Sequence, residues 1–174
     1  MSKILIGLLL ILNFSSAEPN LYILKTVIHS FESKGAGDYM AFNRKTSATG
    51  KYQLIPKTAK ALCKTCKVDY KIWKTPTNQE VLTNCWFDIL VSTLRKNNIK
   101  VTIFNVWLLH NQGEPRGLRF LLGKTLDKKA LYALKSNMPC MIVKKGKCVE
   151  QYPFTGRESY RAIWTLKIRA KMRK

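Results

Sequence analysis

Leu24 to Ser33 reads LKTVIHSFES, and the spacing of its apolar residues decides the fold. Leu24, Val27, Ile28 and Phe31 recur at i, i+3, i+4 and i+7, the stripe by which a helix faces a core. Glu32 follows at the C-terminal end of that face. Further along, Ala48 to Pro56 reads ATGKYQLIP, a turn-rich run with an aromatic ring, an amide and small polar groups. An acid held in a dry wall, with hydrogen-bonding groups nearby to seat a sugar, is what glycosidic cleavage requires. A glutamate at the end of a helix is commonly just solvated or salt-bridged, so Glu32 gains its meaning from these neighbours.

The rest of the chain reads as mainly helical. Lys34 to Gly50, rich in glycine and small polar residues, is expected to be loop or short irregular structure. Pro56 suits the first residue of a helix through Ala59 and Leu62. Pro76 to Glu80 supplies capping chemistry for a longer helix, in which Leu82, Trp86, Ile89, Leu90 and Leu94 recur at helical spacing before Asn97-Asn98 ends it. Val101 to His110 is apolar and favours a helix, although its β-branched residues keep a strand in play. Gly113 to Gly117, with Pro115, reads as a break, and Leu126 to Lys135 as a short helix. Cys140 to Cys148 reads as a small β-hairpin. Tyr160, Ile163, Trp164 and Ile168 give the last helix one apolar face. With no repeat and no long linker, the fold class is mainly α within an α+β frame: one compact helical domain, 18–174.

Residues 1–17 have the charge pattern of a secretory leader. Lys3 precedes the apolar run Ile4 to Leu12, and Ser15-Ser16-Ala17 supplies the small residues of a cleavage site. Residues 1–17 are therefore expected to be a signal peptide, and that run is too short for a stable membrane span. Of the formal charge of +21, only that of Lys3 leaves with the leader. So basic a surface is drawn to polyanions. Export makes nucleic acid an unexpected partner, and no nucleic-acid motif is present. An anionic cell wall fits better. Export also permits disulfides. Cys140 and Cys148 flank a short basic loop and suit a local bridge, while Cys85 has two candidate partners, Cys63 and Cys66. The Cys63-x-x-Cys66 spacing lacks the second ligand pair of a zinc site, so neither metal nor cofactor is expected.

Four short motifs resemble, in order, those of the lytic transglycosylases, members of the lysozyme-like superfamily that cut peptidoglycan. Glu32-Ser33 is similar to the first, a Glu-Ser pair closing a helix. Gly50-Lys51-Tyr52-Gln53-Leu54-Ile55-Pro56, preceded by Ser47-Ala48-Thr49, is similar to the second. Leu109-His110-Asn111-Gln112-Gly113 is similar to the third, with Gln112 where the family commonly has a small residue. Tyr160, in Ser159-Tyr160-Arg161-Ala162-Ile163, is similar to the last.

The resemblance implies a lysozyme-like domain with a substrate cleft. Glu32 would be its sole general acid and base, and Ser33, Tyr52, Gln53, Asn111 and Tyr160 its substrate-binding residues. It implies cleavage between N-acetylmuramic acid and N-acetylglucosamine with closure of a 1,6-anhydro ring. Peptidoglycan strands would be the substrate, in the periplasm or cell envelope, and a secretion or conjugation complex a candidate partner. A hydrolytic lysozyme needs a second carboxylate, for which Asp38 is the candidate in the loop after Glu32. A non-catalytic basic wall- or nucleic-acid-binding protein is the rival from another class.

Overall fold

The structure, a computed structural model, describes residues 18–32, 38–144 and 147–173. The expected leader and Ser33 lie outside those residues. Among them the fold is mainly α, with two small antiparallel hairpins. Helix α1 (Leu21–Glu32) carries the stripe on which the sequence reading began. Asn20 caps it, its Oδ1 accepting from the Ile23 amide at 2.9 Å. Leu24, Val27 and Ile28 are buried, each worth about 1.5–3 kcal/mol of transfer free energy. Strands β1 (Phe42–Asn43) and β2 (Ala48–Thr49) form a short hairpin within the segment expected to be irregular.

Helices α2 (Pro56–Cys66) and α3 (Pro76–Lys96) both open on proline, which suits the first turn because it lacks an amide proton. Gln79 and Glu80, expected to supply capping chemistry, instead lie inside α3. Helix α4 (Ile103–Gln112) settles the choice between helix and strand: Thr102 caps it by accepting from the Asn105 amide at 3.1 Å. Its run from Phe104 to Leu109 is buried throughout. A helix enclosed by neighbours can be apolar all round, which is why its periodicity is faint in the sequence.

The expected break at Gly113 to Gly117 narrows to Gly113, because α5 (Glu114–Leu121) begins at the next residue. Gly117 serves close packing: a Cβ there would lie 2.8 Å from Leu109 Cδ2 and 2.9 Å from Leu109 Cα. Helix α6 (Lys128–Ser136) is capped by Asp127, and the expected hairpin consists of β3 (Cys140–Lys144) and β4 (Lys147–Gln151). Helix α7 (Arg157–Met172) buries Tyr160, Trp164 and Ile168. No helix among the described residues is long and apolar enough to cross a membrane.

Two apolar clusters organise these elements. The larger joins α1, the C-terminal half of α3, and α4 to α7 around Trp107. The smaller comprises Leu54, Ala59, Leu62, Cys63, Trp73 and Leu82, where α2 meets the N-terminal half of α3. Trp86, on α3, packs against both. Disulfides join Cys66 to Cys85 and Cys140 to Cys148, leaving Cys63 as a buried free thiol. The first ties α2 to α3 across a separation of 19 residues. By loop-closure entropy it is worth about 3 kcal/mol. Cys66→Ser should therefore lower the urea unfolding free energy by about that amount, whereas a native Cys63–Cys85 bridge would survive that substitution and leave it nearly unchanged.

Candidate active site

Glu32 stands where two concavities meet. One, of about 270 Å³, is bounded by Phe31, Trp107 and Trp164 on one side and by Asn137, Met138 and Pro139 on the other. The second, of about 680 Å³, lies between the α2 lobe, from Gln53 to Leu62, and the α4–α5 junction, from His110 to Arg116. Glu32 and Asn111 line both, so the pair forms their shared wall. A polymer laid along the two would cross the carboxyl group midway.

The chemistry of Glu32 follows from its enclosure. Its side chain is 18% exposed, and burial, partly offset by a hydrogen bond from Asn111, raises its pKa from the usual carboxyl range to about 7. His110 Nε2 comes within 3.9 Å of Glu32 Oε1, yet the two do not form an ion pair. Burial lowers the imidazole to about 4, so it is neutral at neutral pH. Its Nδ1 accepts from Trp86 Nε1 at 3.2 Å, which leaves the proton on Nε2, facing the Tyr52 backbone carbonyl. His110 is therefore an uncharged wall that leaves the acidity of Glu32 to burial.

Asn111, in the last turn of α4, is oriented by its own partners. Its Oδ1 accepts from Gln112 Nε2 at 2.7 Å and from Asn137 Nδ2 at 3.1 Å, which turns its NH₂ group towards Glu32. Gln112 thus has a role at the position where a small residue was expected. The Tyr160 hydroxyl behind it faces Gln112 and Trp164 without an ordinary hydrogen bond to either.

Gln53 lines the larger cavity on a left-handed backbone, φ 50°. Its Nε2 donates inward, to the Gly50 carbonyl at 2.9 Å and the Ala41 carbonyl at 3.4 Å. Gln53 therefore holds its own turn as well as lining the cavity.

Tyr52 and Tyr160 differ from expectation. They are 1% and 0% exposed, so neither ring offers a face to a sugar. Tyr160 is packed among Phe104, Trp107, Phe120, Phe154 and Trp164. The Tyr52 hydroxyl bonds both carboxylate oxygens of Glu80 at 3.0 Å. The rings that border a cavity are Phe31 and Trp164, backed by the buried Trp107, in the smaller and Trp86 in the larger, all part of the core pattern in sequence and marked as site residues only by the fold.

Glu80 anchors the loop that carries the second motif. Tyr39, Lys51 and Tyr52 donate to it at 2.7–3.0 Å, and Lys25 joins from α1. Burial opposes its ionisation, but these donors outweigh it and hold the carboxyl at about 2. The buried Gln79 amide accepts from the Lys51 amide at 3.1 Å and donates to the Tyr39 and Lys74 carbonyls. Gly50, at φ +82°, passes so close that a Cβ would overlap Gln79 Oε1 at 1.9 Å. A loop able to look irregular in sequence is thus pinned at both ends.

Asp38 is exposed and lines neither cavity, its Oδ1 accepting from the Met40 amide at 2.7 Å in a local turn. The acid that shares the larger cavity with Glu32 is Glu114, whose Oε1 accepts from Thr93 Oγ1 at 3.3 Å. Its place just after Gly113 of the third motif was the available signal. Comparison with protein-family models, curated proteins and solved structures finds no match to this chain.

Proposed function

We propose that this chain is an exported peptidoglycan lytic transglycosylase, acting in the periplasm or cell envelope. The observation that carries this reading is the enclosed Glu32 carboxyl, near pKa 7, at the junction of two cavities. About half of it is protonated at neutral pH, so it can give a proton and take one back within a single turnover. Glu32 protonates the glycosidic oxygen as the bond from C1 of N-acetylmuramic acid breaks. The C6 hydroxyl of that sugar closes on C1, and the Glu32 carboxylate takes its proton. The products are a 1,6-anhydro sugar and a free 4-hydroxyl on N-acetylglucosamine, with no water consumed. The substrate's own acetamido group shields the cationic carbon, the exception to the two-carboxylate scheme. Phe31, partly exposed, and the accessible edge of Trp164 supply apolar surface for a sugar in the smaller cavity, with Trp107 packed behind them.

The hydrolytic alternative draws support from Glu114 in place of Asp38, because only Glu114 shares a cavity with Glu32. Mass spectrometry of peptidoglycan digested by wild type and by Glu114→Gln separates the two. Anhydro-muropeptides from both proteins, at rates within about threefold, are expected. Reducing-end products that vanish in Glu114→Gln would make the protein a hydrolase.

A further inference from the structure

The larger cavity carries charge that the proposed chemistry does not use. Lys57 on α2 and Arg116 on α5 line it from its two walls, in the cavity that Glu32 and Asn111 also border. Among the described residues neither takes part in a salt bridge or side-chain hydrogen bond, whereas Lys25, Lys51 and Arg95 each meet a carboxylate. Helix electrostatics does not explain their places. Each stands in the first turn of its helix, where the dipole disfavours positive charge. The acids in the same cavity do not neutralise both: Glu114 is turned to Thr93, and Glu32 is largely uncharged below pH 7. Leu54, Leu62 and Trp86 add apolar lining, so an anion reaching the half-buried Arg116 would leave part of its water behind, while Lys57 stands at the exposed rim. Cations gain strength as anion partners in such surroundings.

We propose that Lys57 and Arg116 form a clamp for a carboxylate of the peptide stem borne by a glycan strand in the cleft. This rests on the peptidoglycan reading above. It deepens that reading by making the stem peptide part of what the cleft selects. Muramic acid carries its stem through a lactyl ether on the sugar ring. A strand crossing Glu32 therefore brings stem carboxylates alongside the sugars, whereas a strand freed of its stems and capped at the lactyl carboxyls as neutral amides offers no anion. Lys57 presents a mobile point charge. Arg116 presents a planar fork suited to both carboxylate oxygens.

The test is titration of the full chain, by calorimetry, with two glycan fragments of equal length, one with intact stems and one freed of them by an amidase and then capped at its lactyl carboxyls as methylamides, which removes the anion the amidase leaves. Wild type is expected to bind the stem-bearing fragment about tenfold more tightly, as one or two charge-assisted hydrogen bonds provide. The preference should shrink with added salt, vanish in Lys57→Gln/Arg116→Gln and invert in Lys57→Glu/Arg116→Glu. If both fragments bind wild type equally, or if the variants keep the preference, the clamp is refuted while the glycan-binding reading stands. If neither fragment binds, both are refuted.

Discussion

Glu32→Gln will clear no peptidoglycan and yet resist unfolding better than wild type at pH 8. Activity should fall by at least about a thousandfold, because glutamine retains the shape of the acid but cannot exchange the proton. The gain in stability follows from linkage. The folded carboxyl titrates near 7, above its ordinary value of 4.5, so the fold favours the protonated form. Stability that Glu32 preserves at low pH is lost as pH rises from about 4.5 to 7, and the ionised group then costs about 3 kcal/mol. Glutamine carries no such cost.

His110 titrates in the opposite sense. Held near 4 in the fold, it loses stability as pH falls from about 6.5 to 4, so the two effects oppose one another across the same range. Wild-type stability should therefore vary little between pH 4.5 and 7, while Glu32→Gln gains on it through that window and keeps a constant lead above it. Urea unfolding at pH 4, 6 and 8 measures the difference directly. A variant no more stable than wild type at pH 8 would show that Glu32 ionises without strain and would remove the basis for its acid role.

Glu80→Ala carries the second large effect, and its sign is opposite. The substitution leaves Lys25 and Lys51 facing one another across the site of the lost carboxylate, with the Tyr52 hydroxyl enclosed beside them. Removing one member of a partly buried charge cluster strands the rest, and a loss of about 2–4 kcal/mol is expected. Wild type should show the same dependence in acid. The folded pKa of Glu80 lies near 2, below the ordinary 4.5. Its contribution is complete above about 4.5 and disappears as pH falls towards 2, amounting to about 2 kcal/mol after allowance for its partial exposure. Amide exchange should locate the damage in residues 38–54, whose attachment to α3 runs through Glu80 and Gln79. Equal loss of protection throughout α4 and α7 would assign Glu80 to the global core instead.

How far the sequence could be read depended on whether the forces involved were local. The stripe in α1, the proline opening α2 and the apolar face of α7 are set within a few turns of chain, and all are legible. Glu32 and Asn111 could be named as candidates because short motifs surround them. Their joint position on a shared wall depends on how α1 and α4 pack, which no window of sequence displays. Gln79 and Glu80 looked like capping residues because their partners, Tyr39, Lys51 and Lys25, lie 28 to 55 positions away in the chain. Tyr52 and Tyr160 were expected in the groove because amphipathic rings suit both a core and a sugar, and only burial distinguishes the two. The aromatic wall of the smaller cavity was hidden for the same reason: Phe31 and Trp164 pack against the buried Trp107 and also border the cavity.

Helix α3 belongs to both lobes, its first half packed in the smaller cluster and its second in the larger. The two sides of the larger cavity therefore share one uninterrupted rod. Widening the gap would require bending that rod near Leu82 to Leu90, where Leu82, Thr83, Phe87 and Leu90 are fully buried. Such a mouth has a set gauge and does not shut around its occupant as a hinged jaw would. On the proposed transglycosylase reading, a glycan strand would have to slide in along it already straight enough to pass, and the stiffness of the polymer would become part of the selection.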